Sequence, residues 1–396
     1  MSKLLTRDFL LVSAGNFFLF LSFYALMPLL PFFLKEEYGT SGSVVGLILG
    51  SYMIACIAIR PIAGYLLDAF SRRPTYLLAY SLFAIIFCGY NMATLLSLFV
   101  ALRIMHGASF GMATVCGSTL VSQITPRERL GEGLGVYGLA NTLSMCLGPM
   151  IAIWCYGRFS FSIIFIALFL IALAGVCMAS LVRIPPRRTQ AARRLTREAF
   201  ILSDGWWMSL TQLLAYVPYG ASMAYVAVYA QELGLASYGG LYFTLIAIGL
   251  GIARPISGKQ ADHGHMLSLN AAGITLCILT FALLGAIRFV EKPPVMLFLL
   301  IGGMQGITYG ILHPTFNTLF VKLAPEERRG AANSMCQTSN DCGNGLGMLI
   351  GSGIATYWGG YHVVFLLGSL LATASLFIFL THTVPLCKRR FAQTDC

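Results

Sequence analysis

Arg103, His106 and Asp341 are ionisable residues that fall inside long apolar runs. A charge held there is costly, and it persists where it faces a cavity, meets a partner or carries a proton or a charged solute. Asp341 lies ten residues into the run 331–357, roughly 15 Å along a helix. A carboxylate at that depth can trade its charge for a proton; the alternative is a structural Asp hydrogen-bonded to a neighbouring helix. Gln337 and Asn344 share its helical face. Arg103 and His106, three residues apart, also share a face, suited to a substrate's charge or to proton coupling. Alternatively, Arg103 snorkels toward the membrane surface, since it lies near one end of its run. Gln305, Tyr309, His313 and Asn317 are spaced by four and form another row. Asn16 and Tyr24 in the first run, with Gln212, Tyr216 and Tyr219 in the seventh, complete the candidate cavity lining. His313 ranks below Asp341 as a proton carrier, because a lone intramembrane His more often satisfies a hydrogen bond.

The elements that must hold these groups are apolar helices. Of 396 residues, 57% are hydrophobic and only 10% charged, and the mean hydropathy is +0.78. A soluble domain carries about 25% charged residues, and disorder needs low hydrophobicity with high charge. Both classes are excluded, which leaves a polytopic membrane protein. A span needs about 20 apolar residues, and twelve candidate helices fit: 9–34, 43–67, 75–94, 97–123, 133–157, 160–182, 205–231, 238–261, 266–289, 294–322, 331–357 and 361–385. The Arg- and Pro-rich stretch Arg183–Glu198 is the one long polar connection. It implies a first bundle over 1–182, a linker over 183–204 and a second bundle over 205–396.

The net charge of +11 raises the question of nucleic acid. All but five of the 26 Lys and Arg (Lys35, Arg103, Arg158, Arg288 and Lys292) fall at the termini, the central linker and the connections on one side. By the positive-inside rule that side is cytoplasmic, and both termini lie there. No nucleic-acid partner is expected. The first apolar run reads as a retained span, without a small-residue cleavage site. Eleven cysteines show no CxxC pair or Cys/His metal spacing, so neither a metal nor a disulfide framework is expected. No GxxxxGK[ST] or HExxH motif occurs, so no cofactor, ATP site or enzyme activity is expected.

The two halves repeat. Arg60-Pro-Ile-Ala-Gly64-Tyr-Leu-Leu-Asp68 recurs as Arg254-Pro-Ile-Ser-Gly258-Lys-Gln-Ala-Asp262, an offset of 194. His106-Gly107 recurs as Gln305-Gly306, Gly131 as Gly330 and Gly148 as Gly347, all at 199. An internally duplicated six-helix unit is a sequence signature of transporters that move one half against the other.

Gly64, Asp68 and the basic pair Arg72-Arg73 resemble the first loop motif of the major facilitator superfamily, with Ser71 in place of a second Gly. The second copy keeps Gly258 and Asp262 and puts His263-Gly264-His265 where the basic pair would stand. Arg103-Ile-Met-His106-Gly107 resembles the family's fourth-helix motif, with His106 where Gln is common. Gly148-Pro149 resembles, in part, a fifth-helix motif found mainly in its antiporters and exporters. The resemblance covers essentially the whole chain. It implies an all-α membrane protein of twelve transmembrane helices in two pseudo-symmetric bundles, with a site between them near the midplane. It also implies breakable contacts at Gly64, Asp68, Arg72, Arg73, Gly258 and Asp262, and a functional monomer. The physical chemistry agrees: Gly permits close helix approach, and an Asp carboxylate suits a neighbouring helix's N-terminal amides. Arg72 and Arg73 also read as topology charges alone.

The expected function is proton-antiport export of a small organic or amphipathic molecule across a bacterial inner membrane. The expected partners are that substrate, protons and the lipid bilayer. Uptake symport of a sugar or metabolite is the alternative. A non-transporting membrane sensor or assembly factor is the second.

Overall fold

A computed structural model describes residues 4–40, 42–183, 205–290 and 295–394. The basic linker over 184–204 and Lys292 lie outside the described residues. The described chain is almost wholly helical: α1 (Arg7–Leu26), α2 (Leu30–Tyr38), α3 (Gly42–Ala69), α4 (Arg72–Met92), α5 (Leu96–Ile124), α6 (Leu130–Cys155), α7 (Phe161–Ser180), α8 (Trp206–Glu232), α9 (Gly239–Gln260), α10 (Met266–Ala286), α11 (Val295–Leu323), α12 (Arg329–Trp358), α13 (Tyr361–Ile378) and α14 (Val384–Thr394). Twelve of these are long; α2 and α14 are short.

The first expected helix, 9–34, is in fact two. α1 ends at Leu26 and α2 begins at Leu30. Pro28 has no N–H to continue the helical ladder, and its ring crowds the preceding turn. Pro31 sits in the first turn of α2, where a missing N–H costs nothing. α2 closes on Gly39, whose φ of 61° is left-handed. At the other end, the twelfth expected helix passes through one π-helical turn, Phe379–Thr383, and continues as α14.

Ten segments among the described residues are long and apolar enough to cross a membrane, and one of them, Ala236–Phe289, holds both α9 and α10. α12 is long enough but is not among them, because Asn333, Gln337, Asn340, Asp341 and Asn344 dilute its hydropathy. Large apolar side chains stand exposed along the spans, among them Leu47, Ile54, Leu78, Leu349 and Phe377. Lipid rather than water suits such a surface.

The chain divides into two compact units. The first comprises Met1–Arg127, Tyr137–Phe200 and Glu326–Ser334; the second comprises Glu128–Val136, Ile201–Pro325 and Met335–Cys396. Each unit thus takes in a short stretch from the other half of the sequence. In the first, α5 packs on α3 and α4, and α7 packs on α1 and α4. In the second, α11 packs on α9 and α10, and α13 packs on α8 and α10. The second set is the first displaced by one repeat. The core of the first unit is aromatic, with Tyr80, Phe83, Phe87, Tyr90, Phe99 and Phe165 buried.

Candidate functional site

Each unit contains an acid clamp built in the same way. In the first, Asp68 near the end of α3 accepts from the Gly330 and Ala331 amides at 2.9 and 3.0 Å, one on each carboxylate oxygen. These are N-terminal amides of α12, which lack intrahelical partners and carry the positive end of the helix dipole. In the second, Asp262 in the turn after α9 accepts from the Gly131 and Glu132 amides of α6 at 2.7 and 2.8 Å. Gly264, with a φ of 88°, lets that turn reverse sharply into α10.

The clamps need glycine on both faces. A Cβ on Gly64 would come within 2.8 Å of Ser334 Cβ, and one on Gly330 within 2.6 Å of both Gly64 O and Asp68 Oδ1. Gly131 and Gly258 oppose each other's carbonyls in the same manner. The cations differ. Arg72 lies 3.9 Å from Asp68 and donates to Gln123 Oε1 at 2.7 Å and to the Leu67 carbonyl at 3.2 Å. Beside Asp262 stands Lys322, at 3.8 Å. Arg73 reaches elsewhere and donates to the Ser180 carbonyl at the end of α7 at 2.6 Å.

A second feature lies within the first unit. Arg103 and His106 on α5 are fully buried. The Arg103 guanidinium stacks on Tyr52, 4.3 Å from the ring centroid, and its Nη1 lies 3.5 Å from the Tyr90 hydroxyl. That hydroxyl lies 2.7 Å from His106 Nδ1. Phe83 and Phe87 enclose the imidazole at 4.3 and 4.8 Å between centroids. The Tyr52 and Tyr90 partners carry no signature in the sequence, where aromatics in apolar runs read as packing. Arg103 therefore turns inward and does not snorkel. Asn16, also buried here, accepts from Tyr137 at 2.9 Å. Tyr24 is half-buried and backs onto Gly148, where a Cβ would meet Tyr24 Cβ at 2.6 Å; Pro149 follows inside α6.

In the second unit the counterpart of His106 is Gln305, fully buried on α11. Ser222 and Tyr242 donate to its Oε1 at 3.0 and 2.7 Å. Tyr309 donates to the Ala215 carbonyl at 2.9 Å, and its ring lies 5.2 Å from Tyr216 and 4.2 Å from Tyr219. His313 is 6.0 Å from the Tyr216 ring and 3.5 Å, Nδ1 to Nδ2, from Asn340, to which Asn344 donates at 2.7 Å. α12 thereby brings Asn340 and Asn344 to the row on α11, and Gln337 and Asp341 are half-buried on the same helix. Gln212 is buried against Cys336 Sγ at 3.6 Å. The buried hydroxyl of Tyr216 and the Oδ1 of Asn317 have no hydrogen-bond partner among the described residues. Hydroxyl and amide groups thus gather on α8, α11 and α12, and the Asp341 carboxylate stands on the last of these.

The chain matches the family model described as Major Facilitator Superfamily over residues 12–301 and 272–394. It is 22% identical to the staphylopine export protein of Staphylococcus aureus over 389 residues, covering 93% of this chain and 96% of that one. It is 28% identical to the maltose permease of Geobacillus stearothermophilus over 355 residues, covering 87% and 85%. In structure it is similar, with a TM-score of 0.81 at 14% identity, to a bacterial homologue of the iron transporter ferroportin in its outward-facing state, over 96% of this chain and 100% of that one.

Proposed function

The chain belongs to the Major Facilitator Superfamily of transporters, and on that premise we propose that it exports a small organic or amphipathic molecule from a bacterial cytoplasm in exchange for protons. The observation that carries the direction is its similarity, over nearly the full length of both chains, to an export protein. Asp341 supports the coupling. It lies twelve residues beyond the start of α12, roughly 18 Å along the helix, on a helix that carries Asn340 and Asn344 to His313. A carboxylate in that position exchanges a unit of charge for a proton, and such an exchange biases any equilibrium between states that solvate it differently.

On this reading the protein works as a monomer in the inner membrane with both termini cytoplasmic, as its Lys and Arg placement suggests. The Asp68 and Asp262 clamps then hold the cytoplasmic end shut and break in each cycle. Helix-terminus contacts of this kind are worth about 1 kcal/mol each, strong enough to bias a state and weak enough to release. The test is flux in proteoliposomes under an imposed pH gradient. Asp341→Asn is expected to abolish gradient-driven movement while leaving exchange down a concentration gradient. Unaltered gradient-driven flux in that variant removes Asp341 from coupling. Proton-coupled uptake is the second reading, favoured by the similarity to the maltose permease; accumulation of substrate in expressing cells would establish it in place of export.

A further inference from the structure

A guanidinium only donates, so the Tyr90 oxygen accepts from Nη1. Among the described residues His106 Nδ1 is the acceptor within reach of the buried Tyr90 proton, and directing the proton there satisfies that donor. With Nδ1 an acceptor, the imidazole proton sits on Nε2. Among the described residues, the buried polar atoms of this cluster that remain without a partner are Arg103 Nε and Nη2, His106 Nε2 and the Tyr52 hydroxyl. Every one of them can donate. Among the described residues no carboxylate pairs with Arg103, so the cluster carries one uncompensated positive charge in a fully buried position. A water could satisfy some of these N–H groups but could not neutralise the charge, which is the larger cost.

The vacant edge of Arg103 has a shape. Nη1 is used by Tyr90, and Nε with Nη2 form the parallel pair of donors that a carboxylate engages bidentately. The surroundings are apolar and aromatic: the Tyr52 ring lies under the guanidinium, and Phe83, Phe87 and Phe99 lie beyond. On the α1 side the rings continue outward, from Tyr52 to Phe23 at 5.6 Å and then to Tyr24 at 5.1 Å. Phe23 and Tyr24 are half-buried.

From this geometry we propose that Arg103 is the receptor for the carboxylate of a singly charged organic anion with an aromatic or aliphatic body, and that such anions are the substrate class. This deepens the export reading and rests on it. The carboxylate takes the Nε–Nη2 edge, His106 Nε2 and the Tyr52 hydroxyl supply further donors, and the body of the molecule lies along the Tyr52, Phe23 and Tyr24 rings. Arg103 is fully buried in this state, so binding requires the side chains packed around it to shift.

The experiment is equilibrium binding to the purified full-length protein in nanodiscs, read by thermal shift and intrinsic fluorescence. The probes are matched pairs: benzoate and benzamide, phenylacetate and phenylacetamide, indole-3-acetate and indole-3-acetamide. At least one carboxylate is expected to bind tenfold or more tightly than its amide. Arg103→Gln is expected to abolish that preference, Arg103→Lys to weaken it, and Tyr52→Phe to reduce it several-fold with the ring retained. Equal response to acid and amide in all three pairs overturns the proposal, and that comparison uses wild-type protein, so it stands even where Arg103→Gln fails to fold. A preference that survives in folded Arg103→Gln also overturns it. Binding requires neither a gradient nor a direction. Carboxylate selectivity without proton-driven export would therefore sink the export reading and keep this site, and export without carboxylate selectivity would do the reverse.

Discussion

Arg103 and His106 on α5 have Gly302 and Gln305 as their counterparts on α11, one repeat of 199 residues later. Around them the backbone is the same. A Cβ on Gly107 would strike the Tyr52 carbonyl, and a Cβ on Gly306 would strike the Ile246 carbonyl, which is the matching position of the 194-residue repeat. The side chains have diverged completely. Among the described residues both units enclose unpartnered donors, but in one they belong to a charged guanidinium, whereas in the other they belong to the neutral amide Nε2 of Gln305, whose oxygen accepts from two hydroxyls. The clamps differ less: both keep the carboxylate on two helix-terminal amides, and only the supporting cation has moved, from Arg72 on α4 to Lys322 on α11. Position 123, the counterpart of Lys322, is the Gln that accepts from Arg72. Backbone crossings and amide contacts demand exact atoms in exact places, so the repeat retains them. A cation acts through a field that falls slowly with distance, so it can sit on either neighbouring helix.

The largest expected effect tests whether the two crossings are equivalent. Gly107→Val and Gly306→Val each drive a branched side chain into a backbone carbonyl that cannot move without its helix. Each is expected to cost on the order of 3 kcal/mol or more, seen as loss of monodisperse protein or a steep fall in Tm. If one is tolerated and the other is not, the two units do not share one packing.

Next come the clamps. Asp68→Asn and Asp262→Asn remove the charge and turn one acceptor into a donor that faces an amide N–H. Each is expected to lower stability by about 1–2 kcal/mol. The fall should be larger at Asp262, whose side chain is 4% exposed against 12% for Asp68. Thermal unfolding of the two variants side by side is the measurement, and a larger loss at Asp68 reverses the ranking.

Much of this was legible in the residues themselves. The helices followed from apolar runs, 331–357 among them, although the Asn, Gln and Asp of α12 hold its hydropathy below that of the other spans. The break at Met27–Leu29 was hidden because Pro28 stands in an unbroken apolar run, which reads as one span. Arg103 and His106 were visible because ionisable residues in such runs are rare. Tyr52 and Tyr90 were not, because a tyrosine that bonds a guanidinium looks the same as one that packs. The amides that hold Asp68 and Asp262 left no trace by type either. Any residue supplies a backbone N–H, and Gly131 and Gly330 showed only that they recur.

The cations should separate the clamps further. Arg72→Met removes a buried side chain with three hydrogen-bond acceptors around it, at Leu67, Gln123 and Glu326. It is expected to cost about 1–2 kcal/mol. Lys322→Met loses only a contact at 3.8 Å to Asp262 from a partly exposed ammonium, at about 0.5 kcal/mol. Equal losses would mean that the cation matters to both clamps through its charge alone.

The smallest effect belongs to Arg127 and Glu326, which are repeat counterparts of each other, bonded at 2.5 Å with side chains 70% and 56% exposed. Short as it is, the contact competes with water and salt and must hold two long side chains in one rotamer. Arg127→Gln removes this pair and leaves Glu326 its 3.5 Å contact with Arg329, so it is expected to change stability by at most about 0.5 kcal/mol, and in 0.5 M salt by nothing measurable. The backbone carbonyl of Glu326 still accepts from Arg72 in that variant, so the Asp68 clamp should keep its support. A Tm loss approaching that of Asp68→Asn would show that the exposed pair, and not the amide contacts, holds the end of α12 in place.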